Sequence, residues 1–257
     1  MTDTMDLGRS GIVECGVDWR TAFISDGFAI FPQLIAAPMV ERARFAIDQD
    51  LRERFDPARQ SEYDHQSYCP DLRGAPPIRE LLAKSEMARV LDESLGLPAI
   101  DWDGGQIAIR RARNANVPES PRPHIDGFAS GKNGLDEGKV YSFTCLAGIF
   151  LTETARDFAG NFTVWPGSHR IYENYFRARG DCALKEPMPK LDLGAPRQIH
   201  AKPGDAILCH YQLGHSAAVN TSNLDRIAVY FRIWLRDLDA HRWHRLTNIW
   251  DGWRDLT

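Results

Sequence analysis

Residues 122–128 read RPHIDGF. An imidazole and a carboxylate two positions apart, His124 and Asp126, are residue types that hold a divalent metal ion. If they sit at the end of a strand, side chains at i and i+2 point to one face and both reach one ion. The triplet by itself carries little weight. With 8 histidines and 23 aspartates in 257 residues, chance supplies a His-x-Asp roughly once. The competing reading is a turn in which the two side chains hydrogen-bond each other.

Two imidazoles and one carboxylate on one face of an octahedron form the ligand set of non-haem Fe(II) oxygenases, with three positions open. Such a site needs a second histidine from a distant strand. The best stretch for it is GDAILCHYQLGHSAAVNTSNLDRIAVYFR (204–232).

The elements that must carry these residues change character along the chain. DGFAIFPQL (26–34) reads as a short strand closed by Pro32, and APMVERARFAIDQDLRERF (37–55) as an amphipathic helix with Pro38 near its start. RQSEYDHQSYCPDLRGAPP (59–77) is polar and turn-rich and reads as a loop; residues 77–98 read as one or two short helices stopped by Gly96 and Pro98. After residue 100 short β-rich runs alternate with Gly, Pro and Asn: 106–112, 139–153, 161–167, 197–210 and 226–236. No helical periodicity is expected between them. Helices first and many strands afterwards is the pattern of a mainly β jelly roll with an N-terminal helical layer. One domain is expected. Residues 1–16 are expected to be flexible, 17–98 to form the helical layer with the first strand, 99–236 the jelly-roll core and 237–257 a C-terminal segment.

Composition narrows the function classes. A formal net charge of −4 offers no basic field for nucleic acid. No apolar run approaches the roughly 20 residues of a membrane helix. The first residues, MTDTMDLGRSGIVECGVDWR, lack the basic and apolar regions of a signal peptide, so a cytoplasmic location is expected. The 5 cysteines are odd in number and form no C-x-x-C, which argues for reduced thiols. The expected partner is a small-molecule substrate, bound by a monomer or homodimer.

The ordered motifs HID (124–126), AGNFTVWPGSH (159–169), GD (204–205), His215, Asn220 and Arg226 resemble the phytanoyl-CoA dioxygenase family of Fe(II)/2-oxoglutarate oxygenases. ISDGFAIFPQLI followed by a helix resembles the family's N-terminal start, so the likeness spans roughly residues 17–236. It implies a double-stranded β-helix of the cupin-like type and a centre of His124, Asp126 and His215 holding Fe(II), with 2-oxoglutarate and O₂ as cosubstrates. The rival His210 lies an odd number of residues from His215, on the other face of a continuous strand. The family spacing to Arg226 favours His215.

In the family an arginine at the place of Arg226 grips the distal carboxylate of 2-oxoglutarate. A planar guanidinium suits that role, although a structural salt bridge is the plain alternative. Many relatives add a serine two residues after the distal histidine. Here Ala217 stands there, and Thr144 or Tyr141 is expected to supply the hydroxyl. Gln106 is expected to orient the cosubstrate's other carboxylate. Arg110, Asn161 and Trp165 are candidates for substrate contact, and the segments 127–139 and 176–198 for the mouth of the site. His169 is expected to fix a turn or touch substrate. Asp126 fills the position that related halogenases leave to chloride, which favours hydroxylation. Two alternatives stay open: a metal-dependent jelly-roll enzyme that uses no 2-oxoglutarate, and a non-catalytic binding module.

Overall fold

Alternation of side chains along a strand decides which core each residue joins, and here one sheet serves two cores. The computed structural model describes residues 18–113, 120–128, 135–136 and 139–256. The expected flexible N-terminal stretch 1–16 lies outside the described residues, as does most of the segment 127–139.

Helix α1 (Trp19–Asp26) is capped by Asp18, whose carboxylate accepts the Arg20 N–H, and ends at Gly27, φ 82°. Strand β1 (Phe28–Phe31) follows. Helix α2 (Ala37–Arg54) has Pro38 in its first turn and buries Val40, Ala43 and Ile47. Helices α3 (Gln60–His65), α4 (Pro76–Ala83) and α5 (Glu86–Ser94) complete the helical layer. Then come β2 (Ile100–Asp101), β3 (Gln106–Arg110), β4 (Cys145–Phe150), β5 (Phe162–Val164), α6 (Ser168–Arg179), β6 (Arg197–Gln198), β7 (Ala206–His210), β8 (His215–Ala217), β9 (Arg226–Leu235) and α7 (Leu238–Thr247).

The larger sheet runs β1-β7-β4-β9-β2, with β3 also paired to β9; the smaller runs β6-β5-β8. Every pair is antiparallel. Ala29, Phe31, Ile107, Ile149, Leu208 and Phe231 point outward from the larger sheet and pack against the helices. Their strand neighbours Phe28, Leu146, Phe150, Ile207, Cys209 and Tyr230 point inward and meet Phe162 and Val164 of the smaller sheet. The two sheets thus close on an apolar interior in a jelly-roll architecture flanked by helices.

Two expectations are corrected. Residues 59–77, expected as a loop, contain α3, short 3₁₀ turns and the start of α4. Tyr63 anchors this stretch by packing 5.6 Å from both Phe55 and Tyr68, ring centre to ring centre. Helix α6 interrupts the strands where none was expected. Its apolar stripe, Tyr172 and Phe176 at i and i+4, is buried in the interior.

Candidate metal centre

The centre is built from the backbone upward. His124 and His215 face each other in an isolated antiparallel bridge and exchange both hydrogen bonds, N–H to carbonyl, at 3.0 and 2.8 Å. This sets the two imidazoles side by side, ring centres 4.6 Å apart. Asp126, two residues on, reaches the same point. Its Oδ1 lies 3.6 Å from Nε2 of His124 and 3.6 Å from Nε2 of His215. The three ligand atoms all lie within 4.8 Å of one another. At 3.6 Å these contacts are too long for hydrogen bonds. Donors on one octahedral face around a metal with bonds of about 2.1 Å stand about 3.0 Å apart. The donor types and their convergence on one point fit a divalent transition metal.

Two of the three donors, His215 and Asp126, are oriented by partners. The Nδ1–H of His215 donates to the Leu213 carbonyl at 3.0 Å, a tautomer that turns the Nε2 lone pair toward the cluster. Phe162 stacks on the same ring, centres 5.5 Å apart. Asp126 is gripped by Arg232, whose Nε donates to Oδ2 at 2.9 Å and whose Nη2 forms an ion pair with the same oxygen at 2.7 Å. Burial alone would raise the Asp126 pKa, but the Arg232 charge and the two imidazoles hold it well below the usual carboxylate range. The carboxylate is therefore charged whenever the protein is folded at neutral pH.

The centre opens on a cavity of about 760 Å³ whose lining includes Gln106, His124, Asp126, Phe143, Met188 and Arg232. A second cavity of about 450 Å³ adjoins it at Arg73, Tyr141, Phe143 and Arg232.

Arg226 begins β9 and is buried on the inward face. Its Nε donates to the Gly160 carbonyl at 2.7 Å and its Nη1 to the Ala108 carbonyl at 3.1 Å. Gly160 comes this close because it has no side chain: a Cβ there would stand 3.1 Å from the Arg226 Cβ. Among the described residues no carboxylate lies within ion-pair distance of Arg226. Burial pushes its pKa down from the usual arginine value. Four residues on, the Tyr230 hydroxyl is buried with no hydrogen-bond partner among the described residues. It shares the inward face with Arg226 and feels that charge.

The other expected residues divide sharply. Gln106 lines the metal cavity; its Oε1 accepts from Arg232 Nη1 at 2.9 Å and its amide donates to the Gln66 carbonyl. Thr144 and Tyr141 are not brought to Arg226. Thr144 donates its N–H to the Ile233 carbonyl, seven residues and about 23 Å along β9 from Arg226. Its hydroxyl accepts the Leu235 N–H at 3.0 Å, and the Tyr141 hydroxyl donates to Asp136 at 2.7 Å. Asn161 is committed to the backbone at both ends, accepting from Ala159 at 2.8 Å and donating to Ile199 at 3.0 Å. Trp165 packs in the interior. Arg110 lines a separate cavity of about 520 Å³ with Arg111, Arg113 and Asn220.

His210 is buried away from the cluster, with Nδ1 accepting from the Gln212 N–H and Nε2 facing the Ile249 carbonyl, both at 3.0 Å. It ends β7 of the larger sheet while His215 begins β8 of the smaller one, so no continuous strand joins them and the parity rule does not apply. His169 is buried against the Ile24 carbonyl. The grip of Arg232 on Asp126 and the buried Tyr230 hydroxyl beside Arg226 were not singled out by the sequence reading. Both residues share even parity with Arg226 on β9, which was the available signal.

Residues 23–228 match the phytanoyl-CoA dioxygenase family. The chain belongs to that family and is an iron- and 2-oxoglutarate-dependent oxygenase in type. No curated protein matches the sequence. Among solved structures, EvdO2 from Micromonospora carbonacea var. aurantiaca, complexed with 2-oxoglutarate, is 20% identical, with 86% of this chain and 92% of that one covered and a TM-score of 0.56. The epimerase SnoN from nogalamycin biosynthesis is 17% identical over 84% of this chain and 79% of its own, TM-score 0.55. HygX from Streptomyces hygroscopicus, with nickel, 2-oxoglutarate and hygromycin B bound, is 15% identical over 85% and 86%, TM-score 0.55. These likenesses show the shared fold. No described helix is long and apolar enough to cross a membrane.

Proposed function

We propose that this protein hydroxylates an unactivated C–H bond of a small-molecule substrate, with His124, Asp126 and His215 holding Fe(II) and Arg226 holding 2-oxoglutarate. The observation that carries the cosubstrate assignment is Arg226: a buried guanidinium with two carbonyl partners and no carboxylate among the described residues. An unpaired buried charge is costly, and a bound dicarboxylate would supply its missing counter-charge. The unpartnered Tyr230 hydroxyl on the same face fits the same ligand and takes the place of Thr144 and Tyr141 as the hydroxyl beside Arg226. The bound iron, 2-oxoglutarate and O₂ supply the oxidation, in which R–H, 2-oxoglutarate and O₂ become R–OH, succinate and CO₂.

The chain's own residues bind and orient. The Leu213 carbonyl fixes the His215 tautomer. Arg226 and Tyr230 fix one end of the cosubstrate. Phe143, Met188 and Ile125 wall the cavity with apolar surface that restricts water near the reacting carbon. Asp126 occupies the position that would otherwise accept a halide, which supports hydroxylation over halogenation. That HygX carries hygromycin B supports a small-molecule substrate here.

The test is substrate-dependent succinate release from the purified protein under O₂ with Fe(II) and 2-oxoglutarate. Hydroxylation adds one oxygen atom to the product. Unchanged product mass would replace it by epimerisation, and loss of two hydrogens by cyclisation or desaturation. Turnover independent of 2-oxoglutarate would assign a jelly-roll enzyme of another kind, and absence of Fe(II) binding a non-catalytic module.

A further inference from the structure

We propose that Arg232 is a positioning residue that makes Asp126 a one-oxygen metal ligand and thereby keeps three coordination positions open. The proposal rests on the reading of His124, Asp126 and His215 as the metal centre. The two carboxylate oxygens of Asp126 have different surroundings. Oδ2 accepts a hydrogen bond from Arg232 Nε at 2.9 Å and lies 2.7 Å from Nη2 in an ion pair. Oδ1 faces the Nε2 atoms of both histidines at 3.6 Å. One oxygen is thus committed to the arginine and the other is presented to the metal.

The count of coordination positions gives this division its consequence. An octahedral ion bound by two imidazoles and one carboxylate oxygen keeps three positions. A chelating cosubstrate takes two of them and O₂ needs the third. If Asp126 turned and bound through both oxygens, only two would remain, and the cosubstrate would leave no place for O₂. The hydrogen bond from Nε and the ion pair with Nη2, both on Oδ2, oppose that turn.

Arg232 is itself fixed. Its Nη1 donates to Gln106 Oε1 at 2.9 Å, and the Gln106 amide donates to the Gln66 carbonyl in the segment after α3. Its guanidinium lies 5.9 Å from the centre of the Phe143 ring. The relay Gln66, Gln106, Arg232, Asp126 ties the metal centre to the helical layer. It also gives Gln106 a part in the site different from the one first expected of it. A lysine at 232 would deliver one point charge, without the fork that engages Oδ2 and Gln106 together.

The experiment uses the full chain and Co(II), an air-stable probe whose visible absorption reports its ligand field. His215→Ala is the control for the centre. It should lose Co(II) binding; wild-type affinity in that variant would overturn the metal reading independently of Arg232. Arg232→Gln, checked for folding by circular dichroism, should bind Co(II) about 10- to 100-fold more weakly, the usual effect of losing a group that orients a ligand, with an altered visible spectrum. Gln106→Ala should shift both measurements in the same direction by less. Arg232→Lys should fall between wild type and Arg232→Gln, and it serves in its place if the glutamine variant does not fold. A folded Arg232→Gln or Arg232→Lys with the wild-type affinity and spectrum would overturn the proposal while leaving the metal centre intact.

Discussion

The molecule contains two pairs of neighbouring buried or half-buried histidines, and they behave differently. His124 and His215 stand with ring centres 4.6 Å apart, His169 and His210 with centres 5.7 Å apart. Proximity does not distinguish them. The first pair is joined by a carboxylate, opens on a large cavity and directs two Nε2 atoms at one carboxylate oxygen. The second is sealed beneath Trp250, whose ring lies 5.7 Å from His169 and 5.3 Å from His210, and spends its ring nitrogens on backbone. Of these nitrogens the His169 Nδ1 alone has no partner among the described residues, and it is pressed close to Gly27. A metal site therefore needs converging lone pairs, a fixed negative charge and access, and the sealed pair lacks the last two.

Alanine substitutions in the two pairs are expected to have opposite consequences. His124→Ala, Asp126→Ala and His215→Ala are each expected to abolish turnover and Fe(II) binding while the fold persists. His210→Ala is expected to retain Fe(II) but to lose roughly 2–4 kcal/mol of stability, as large-to-small changes in a packed core do. Anaerobic Fe(II) titration beside chemical denaturation separates the outcomes. Iron lost in His210→Ala and kept in His215→Ala would reverse the assignment.

Arg226 extends the comparison from histidines to arginines. Arg232 is matched by Asp126, whereas Arg226 has no acid among the described residues. Losing a desolvated bidentate contact costs on the order of 2–5 kcal/mol. Arg226→Ala is therefore expected to raise the apparent 2-oxoglutarate constant about 30-fold or more, with Arg226→Lys between. Fe(II) affinity should not change. An unchanged 2-oxoglutarate dependence would remove the cosubstrate from the proposed function.

The sealed pair makes its own prediction through pH. Burial pushes the His169 pKa down to about 4 and the His210 pKa down to about 3, from 6.5. The folded state thus binds fewer protons than the unfolded state below pH 6.5. Stability is full above 6.5 and is lost as pH falls through 6.5 toward 4 and 3. At pH 5 each histidine is expected to account for about 2 kcal/mol of the loss. Denaturant midpoints of the wild type and of His210→Gln, measured at pH 7.5 and pH 5, check it. The variant should show the shallower decline, and equal declines would show that other groups dominate.

The division between what the sequence disclosed and what it concealed has a physical basis. The convergence of His124, Asp126 and His215 was legible through ordered motifs that resemble the family, and those motifs also singled out Arg226, which the structure buries without an acid among the described residues. The strands themselves were legible through their apolar runs. Thr144 and Tyr141 were misplaced with respect to Arg226 because strand register is a long-range fact. Only the pairing of Cys145 with Ile233 reveals that this end of β4 lies far along β9 from Arg226. Asn161 looked like a site residue by position, yet its amide oxygen and nitrogen each bond a backbone group. Helix α6 was hidden because its apolar stripe sits among segments rich in β-formers.

Tyr230 poses the same question for a single atom: whether a polar group on the inward face, unpartnered among the described residues, awaits a ligand or is simply tolerated. A buried hydroxyl without a partner costs about 1–3 kcal/mol, and a hydrogen bond to a charged group contributes about 1.5–3 kcal/mol. Tyr230→Phe removes both effects. Without cosubstrate the variant should be at least as stable as the wild type, because the orphaned hydroxyl is gone. With cosubstrate it should bind 2-oxoglutarate roughly ten-fold more weakly, a change of about 1.4 kcal/mol. The opposite signs are the diagnostic feature: a packing defect would lower stability and affinity together. Thermal melts with and without 2-oxoglutarate, at fixed Mn(II), read both quantities. If the ligand-induced rise in melting temperature is the same in Tyr230→Phe as in the wild type, the hydroxyl does not touch the cosubstrate, and Arg226 would hold the distal carboxylate without help from Tyr230.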